Sequence, residues 1–137
     1  MKKLFLTLSL ILSSFVYAEK NVVVYAPYAK TTPLNAISGA VFFEIMSFSD
    51  EVYTIVSAVT DVASKAELHD VVKEGDVMKM RRMHNIELPA KGKVVLKPGG
   101  LHIMLYDLKE RLVAGKEIDL KLVFSDGEEY TFKVPIV

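Results

Sequence analysis

Turn signals break this sequence into short runs, and no segment shows the long amphipathic 3.6-residue pattern of a helix. Beyond residue 18 the apolar runs are short: "NVVVYAPY" (21–28), "GAVFFEIMS" (39–47), "EVYTIVSAV" (51–59), "SKAELHDV" (64–71), "DVMKMRR" (76–82), "KVVLK" (93–97), "LHIMLYDL" (101–108), "EIDLKLVF" (117–124) and "EYTFKVPI" (129–136). They are rich in Val, Ile, Tyr and Phe, side chains that suit a pleated surface. "DG" at 126–127, between two such runs, marks a hairpin. "PGG" at 98–100 supplies the positive φ of a turn just before "LHIM", and Gly75, Gly92 and Gly115 mark further turns. Only "DLKERLVAG" leaves room for one helical turn. Eight or nine short strands at this spacing predict an all-β, antiparallel sandwich or barrel with Greek-key connections. No linker or repeat divides them, so residues 19–137 are expected to form one domain.

The first 18 residues follow another logic. "MKK" is a basic start, "LFLTLSLILSSFV" an apolar run too short for an ordinary membrane span, and "VYA" places small residues before a cleavage point after Ala18. This predicts a secretory signal peptide over 1–18 and an exported mature chain from Glu19. No later stretch is long and apolar enough to span a membrane as a helix. The chain has 17 basic and 17 acidic residues, and losing Lys2 and Lys3 leaves the mature part slightly acidic. A nucleic-acid partner, which calls for a basic patch, is not expected. Cysteine is absent, so no disulfide forms and any metal site must do without thiolate.

The histidines and methionines are unevenly placed. All three histidines (His69, His84, His102) and four of the five methionines after Met1 (Met78, Met80, Met83, Met104, but not Met46) lie between positions 69 and 104. Residues two apart on a strand share a face, so His102 and Met104 point the same way while Ile103 points to the other side. Imidazole and thioether are neutral, polarisable donors that together suit Cu(I). Zinc sites use thiolate, imidazole or carboxylate, and a blue-copper centre needs a cysteine sulfur that is missing here. The same residues also have an ordinary reading: methionine fills cores, as is expected of Met46 outside this window, and a histidine on a strand is often structural. Glu67 and Asp70 flank His69 and could orient it, or could be plain strand-edge charges. The aromatic residues, among them Tyr28, Phe42, Phe43, Tyr106 and Phe124, are expected in core and cross-strand packing. There is no Cys nucleophile, no G-x-S-x-G elbow and no phosphate loop.

Taken in order, His69 is followed by ten residues and Met80, then by twenty-one residues and His102, Ile103 and Met104. This spacing, with "AELH", "VMKMR", "IELPA", "LKPGGLHIMLYDLK" and "GKEIDLKLVF" around it, resembles the PCu(A)C family of periplasmic copper chaperones over essentially the whole mature chain. The resemblance implies a cupredoxin-like Greek-key β-barrel that binds Cu(I) through His69, Met80, His102 and Met104. It also implies delivery of copper to the Cu(A) centre of a cytochrome c oxidase, or exchange with another copper chaperone, in the periplasm. The chain departs from the family in "HDVV", where many relatives carry a methionine soon after the first histidine. It departs again in "YAPYAKTTP", where Tyr28 and Lys30 stand in place of Trp and Arg. Met78, Met83 and His84 are additional donors outside the motif. The expected function is thus a copper carrier and not an enzyme. The alternatives are a periplasmic copper storage or tolerance protein without a specific acceptor, a copper redox enzyme, and a purely structural β-domain.

Overall fold

The computed structural model describes residues 21–137; the expected signal sequence over 1–18 and its cleavage point lie outside the described residues. Ten strands follow one another: β1 (Val22–Ala29), β2 (Ser38–Ser47), β3 (Tyr53–Val59), β4 (Ala63–Glu74), β5 (Val77–Met83), β6 (Ile86–Leu88), β7 (Lys93–Leu96), β8 (His102–Leu108), β9 (Glu117–Phe124) and β10 (Glu129–Pro135). Among the described residues there is no helix; "DLKERLVAG" is strand end, loop and turn. The strands pair antiparallel in the order β1-β2-β8-β4-β3-β9-β10, with β5 added to β4, β6 to β3 and β7 to β2. A parallel bridge between Ala29 and Ile136 brings the two ends of this order together. There Val137 N–H donates to the Ala29 carbonyl at 2.9 Å and Thr31 N–H to the Val137 carbonyl at 2.9 Å. The sheet is a nearly closed antiparallel barrel, and the all-β expectation holds.

Alternation fills the interior. Val41, Phe43 and Ile45 of β2, Ile103 and Leu105 of β8, and Leu120, Leu122 and Phe124 of β9 are buried in one cluster, while their strand neighbours face outward. Closing the sheet removes most of its free edges, which is why a chain of this length needs no disulfide to hold it. Met46, which the sequence reading places in the core, is instead half-buried on the outer face of β2, because Ile45 beside it takes the inward position.

Two local features differ from the sequence reading. First, β4 runs on to Glu74 and turns through Gly75 and Asp76 into β5, forming a two-stranded arm with Glu74 opposite Val77. Second, β6 is a short strand that the sequence reading passes over, being only three residues long. The turn expected at "PGG" forms, with Gly99 at positive φ. Both β7 and β8 run antiparallel to β2, Leu96 opposite Phe43 and Ile103 opposite Val41, so they form one line interrupted by an excursion over 97–101. Gly100 N–H donates to the Lys97 carbonyl at 3.0 Å and Lys97 N–H to the Leu101 carbonyl at 2.9 Å, with Gly99 at φ +81°. Pro98 then Gly99 with positive φ is the signature of a type II turn. A side chain at Gly99 has open space around it but the wrong backbone. Gly99→Ala is therefore expected to cost about 1–2 kcal/mol, read as a lowered melting temperature, whereas Lys97→Ala at the start of the turn should change it little.

Candidate metal centre

The outer face of β5, β4 and β8 carries the candidate residues. His69 lies directly opposite His102 in the β4–β8 ladder, and directly opposite Arg82 in the β4–β5 ladder. One pair along, Glu67 faces Met104; one pair the other way, Val71 faces Met80. Opposed residues share a face, and so do residues two apart. His69, His102, Met80 and Met104 therefore lie on the same side of three adjacent strands, with His69 in the middle. Met104 and Met80 are each a diagonal neighbour of His69, a relation that places Cα atoms about 7–8 Å apart, within the span of long side chains.

The two imidazoles are buried, 6 % exposed for His69 and 5 % for His102. Their ring centroids are 5.6 Å apart with a 46° tilt. Aromatic rings flank them on both sides: Phe42 is 6.2 Å from His102 and is itself stacked on Tyr28 at 5.2 Å, while Tyr106 is 5.9 Å from His69. Phe42 and Tyr28 thus belong to this outer wall rather than to the barrel core. Phe43, Phe124 and Phe132 do pack within and across the barrel. Met104 is half-buried and Met80, out on the arm, is 55 % exposed.

The hydrogen bonds distinguish the ring nitrogens. His102 Nδ1 lies 2.9 Å from the Gly100 carbonyl. A carbonyl only accepts, so Nδ1 carries the proton and donates, which leaves the Nε2 lone pair free. The excursion over 97–101 thus fixes the tautomer of the histidine that follows it. His69 Nε2 lies 3.5 Å from Glu67 Oε1 and 3.4 Å from Tyr106 Oη. His69 Nδ1 is buried with no hydrogen-bond partner. Such an orphan is uncommon in a folded protein and calls for a cause, an absent ion being one. The site thus offers imidazole nitrogens with lone pairs not committed to protein hydrogen bonds, beside two thioethers.

The remaining donors separate cleanly. Met78, opposite Lys73, shares the face of Met80 but lies farther out on the arm, 58 % exposed. Met83, opposite Leu68, is on the other face, packed against the core, with Arg81 Nη2 3.8 Å from its sulfur. His84 is exposed after the end of β5. Asp70 also points away from the site, and its Oδ1 accepts from the Val71 N–H at 2.8 Å. Glu67, its partner in the sequence reading, is no exposed edge charge: its side chain is 9 % exposed, inside the site. Arg82, which the sequence reading passes over, donates from Nε to Glu67 Oε2 at 2.8 Å. Its parity with Met80 was the available signal. Among the described residues no three of His, Asp and Glu form a ready cage for a metal ion, so a site made only of hard donors is not preassembled.

Known proteins resemble this chain in sequence and in fold. The model of the family described as "Putative lipoprotein LpqE-like" matches residues 22–136. A protein of Leifsonia xyli subsp. xyli (strain CTCB07), named "Putative lipoprotein Lxx21020", is 35 % identical over 98 residues, which are 71 % of this chain and 59 % of that protein. The match thus spans under two thirds of that relative's length. Among solved structures, the copper-bound PCuAC domain from PmoF2 superposes with a TM-score of 0.72 at 17 % identity, covering 85 % of this chain and 92 % of that one. The solution structure of CuI-DR1885 from Deinococcus radiodurans superposes with a TM-score of 0.68 at 24 % identity, covering 83 % and 76 %. The nearly closed barrel of this chain is the cupredoxin-like barrel of these domains.

Proposed function

This chain belongs to the LpqE-like (PCuAC) family, and from that premise we propose that it is an exported carrier of Cu(I) and not an enzyme. His69, Met80, His102 and Met104 are the proposed ligands. The observation that carries this reading is the register: residues separated by up to 35 positions in sequence meet on one face, His69 directly opposite His102, with a thioether diagonal to His69 on either side. The donor set fits the ion. Two imidazoles and two thioethers are neutral and soft, and Cu(I) is the biological ion that prefers them. The orphaned His69 Nδ1 and the free Nε2 of His102 fit a site that binds by lone pairs. The copper named in the two solved neighbours supports the same ion.

Cargo must be released as well as held. Three ligands, His69, His102 and Met104, sit on the barrel wall and one, Met80, on an exposed arm, so an acceptor can approach from the Met80 side and replace one thioether at a time. The acceptor we propose is the Cu(A)-bearing subunit of a cytochrome c oxidase or another copper chaperone, in the periplasm, after removal of residues 1–18. The lipoprotein name of the Leifsonia relative supports export. One domain over 19–137 suffices for this role.

Competition titration of the mature chain under reducing conditions is expected to show one tight Cu(I) per chain, bound in preference to Zn(II). Preferential zinc binding would overturn the ligand set. Met104→Leu deletes the sulfur while keeping volume and apolar character, so it should cost under about 1.5 kcal/mol in stability yet clearly weaken copper binding. Met46→Leu is the matched control, since Met46 pairs with Val23 and Lys93 away from the site, and it should bind like the parent. Transfer of bound copper to an oxidase subunit fragment tests the acceptor; a loaded chain that yields nothing to any such fragment or chaperone would be a store.

A further inference from the structure

The centre contains one hard donor that the proposed ligand set does not use. Glu67 faces Met104 across the β4–β8 ladder, and its Oε1 is 3.5 Å from His69 Nε2. Two histidines and a carboxylate are a donor set that zinc takes, and nitrogen–oxygen donors also suit Cu(II). A free carboxylate here would turn a neutral, soft site into an anionic one open to harder ions. It is not free. Arg82 Nε donates to Glu67 Oε2 at 2.8 Å, and Lys65 Nζ lies 3.8 Å from Oε1. The arginine contact is the shorter, and it reaches in from the same strand as Met80, two residues away and directly opposite His69. The carboxylate is nearly buried while Arg82 and Lys65 are mostly exposed. The cations therefore close over Glu67 from the solvent side, Lys65 also lying 5.3 Å from the centroid of the Tyr106 ring.

We propose that Arg82 is a metal-selectivity residue: by holding the Glu67 carboxylate in an ion pair it keeps a hard anionic donor out of the two-His, two-Met site, and so favours Cu(I) over Zn(II). This rests on the copper-carrier reading of the site. A metal that recruits Glu67 must first break its short hydrogen bond to the guanidinium, and it must then sit beside an unpaired positive charge. Cu(I), satisfied by thioethers and imidazoles, asks for neither. Arg82 is a positioning residue that acts through Glu67.

The test compares Zn(II) and Cu(I) affinities, by competition with chelators, of the parent chain, Arg82→Leu, and Arg82→Leu combined with Glu67→Gln. Leucine is chosen because methionine would add a thioether. Arg82→Leu is expected to raise Zn(II) affinity relative to Cu(I) by about tenfold or more, the size of effect that partners of metal ligands commonly exert. X-ray absorption of the zinc-loaded variant should then show an added oxygen donor at about 2.0–2.2 Å. The double variant should return to the parental ratio. An unchanged ratio in Arg82→Leu would overturn the inference, and so would a double variant that keeps the zinc gain, since the effect would not then pass through Glu67. Should Arg82→Leu fail to fold, Arg82→Gln removes the same charge from an exposed position and carries the same comparison. A parent chain that holds no Cu(I) at all would instead sink the carrier reading, so the two failures are distinguishable.

Discussion

His102→Ala is expected to lower Cu(I) affinity by more than about 100-fold while leaving a folded barrel. Losing a partner of a ligand commonly costs about 10–100-fold in metal affinity, and His102 is proposed as a ligand itself. A hundredfold corresponds to about 2.8 kcal/mol. The substitution removes a ring packed between Phe42 and His69 and leaves the Gly100 carbonyl without its donor, so the apo protein should melt somewhat earlier. Because the ring points out of the barrel, the interior cluster is untouched. Chelator competition together with a melting curve of the apo form checks both halves. Parental copper affinity in a folded His102→Ala chain would mean that β8 is ordinary barrel wall and that the copper reading is wrong.

Ile103→Ala should do the reverse, one residue away. Ile103 is fully buried on the inner face of the same strand, opposite Val41 on β2 and Leu68 on β4. Truncating a buried isoleucine leaves a cavity that the surrounding strands fill only in part, a loss of about 2–5 kcal/mol. For a domain of this size that lowers the melting temperature on the order of 10 °C. Copper affinity of the folded fraction should stay within a few-fold of the parent, because none of the four proposed ligands faces the interior. An Ile103→Ala chain that melts like the parent would contradict the inward assignment of β8. The two variants together form a double dissociation across one peptide bond, and strand alternation is its only cause.

The strands and their faces were legible in the sequence because both are local. A strand repeats every two residues, so "EIDLKLVF" announces an inner and an outer face with no knowledge of its partners, and β9 shows that alternation in its burial. The same period placed His102 and Met104 on one side and Ile103 on the other. The spacing of the four proposed ligands was legible too, as a family resemblance that the match over residues 22–136 supports. Register was not legible, because it is set by which distant segments pair. Only the closed barrel put His69 opposite His102 and made β7 and β8 one line along β2. Along that line the "PGG" turn is an excursion whose carbonyl fixes a histidine tautomer. Met46, by contrast, is half-buried by strand parity alone, since Ile45 beside it takes the inward position. Arg82 and Glu67 looked like two charges fifteen residues apart. The β4–β5 arm joined them, since a hairpin brings together residues whose distance in sequence says nothing of their distance in space. Sequence determined the chemistry available to this protein, through residue type and strand parity. The tertiary structure decided which of those groups meet, because pairing and barrel closure depend on all the strands at once.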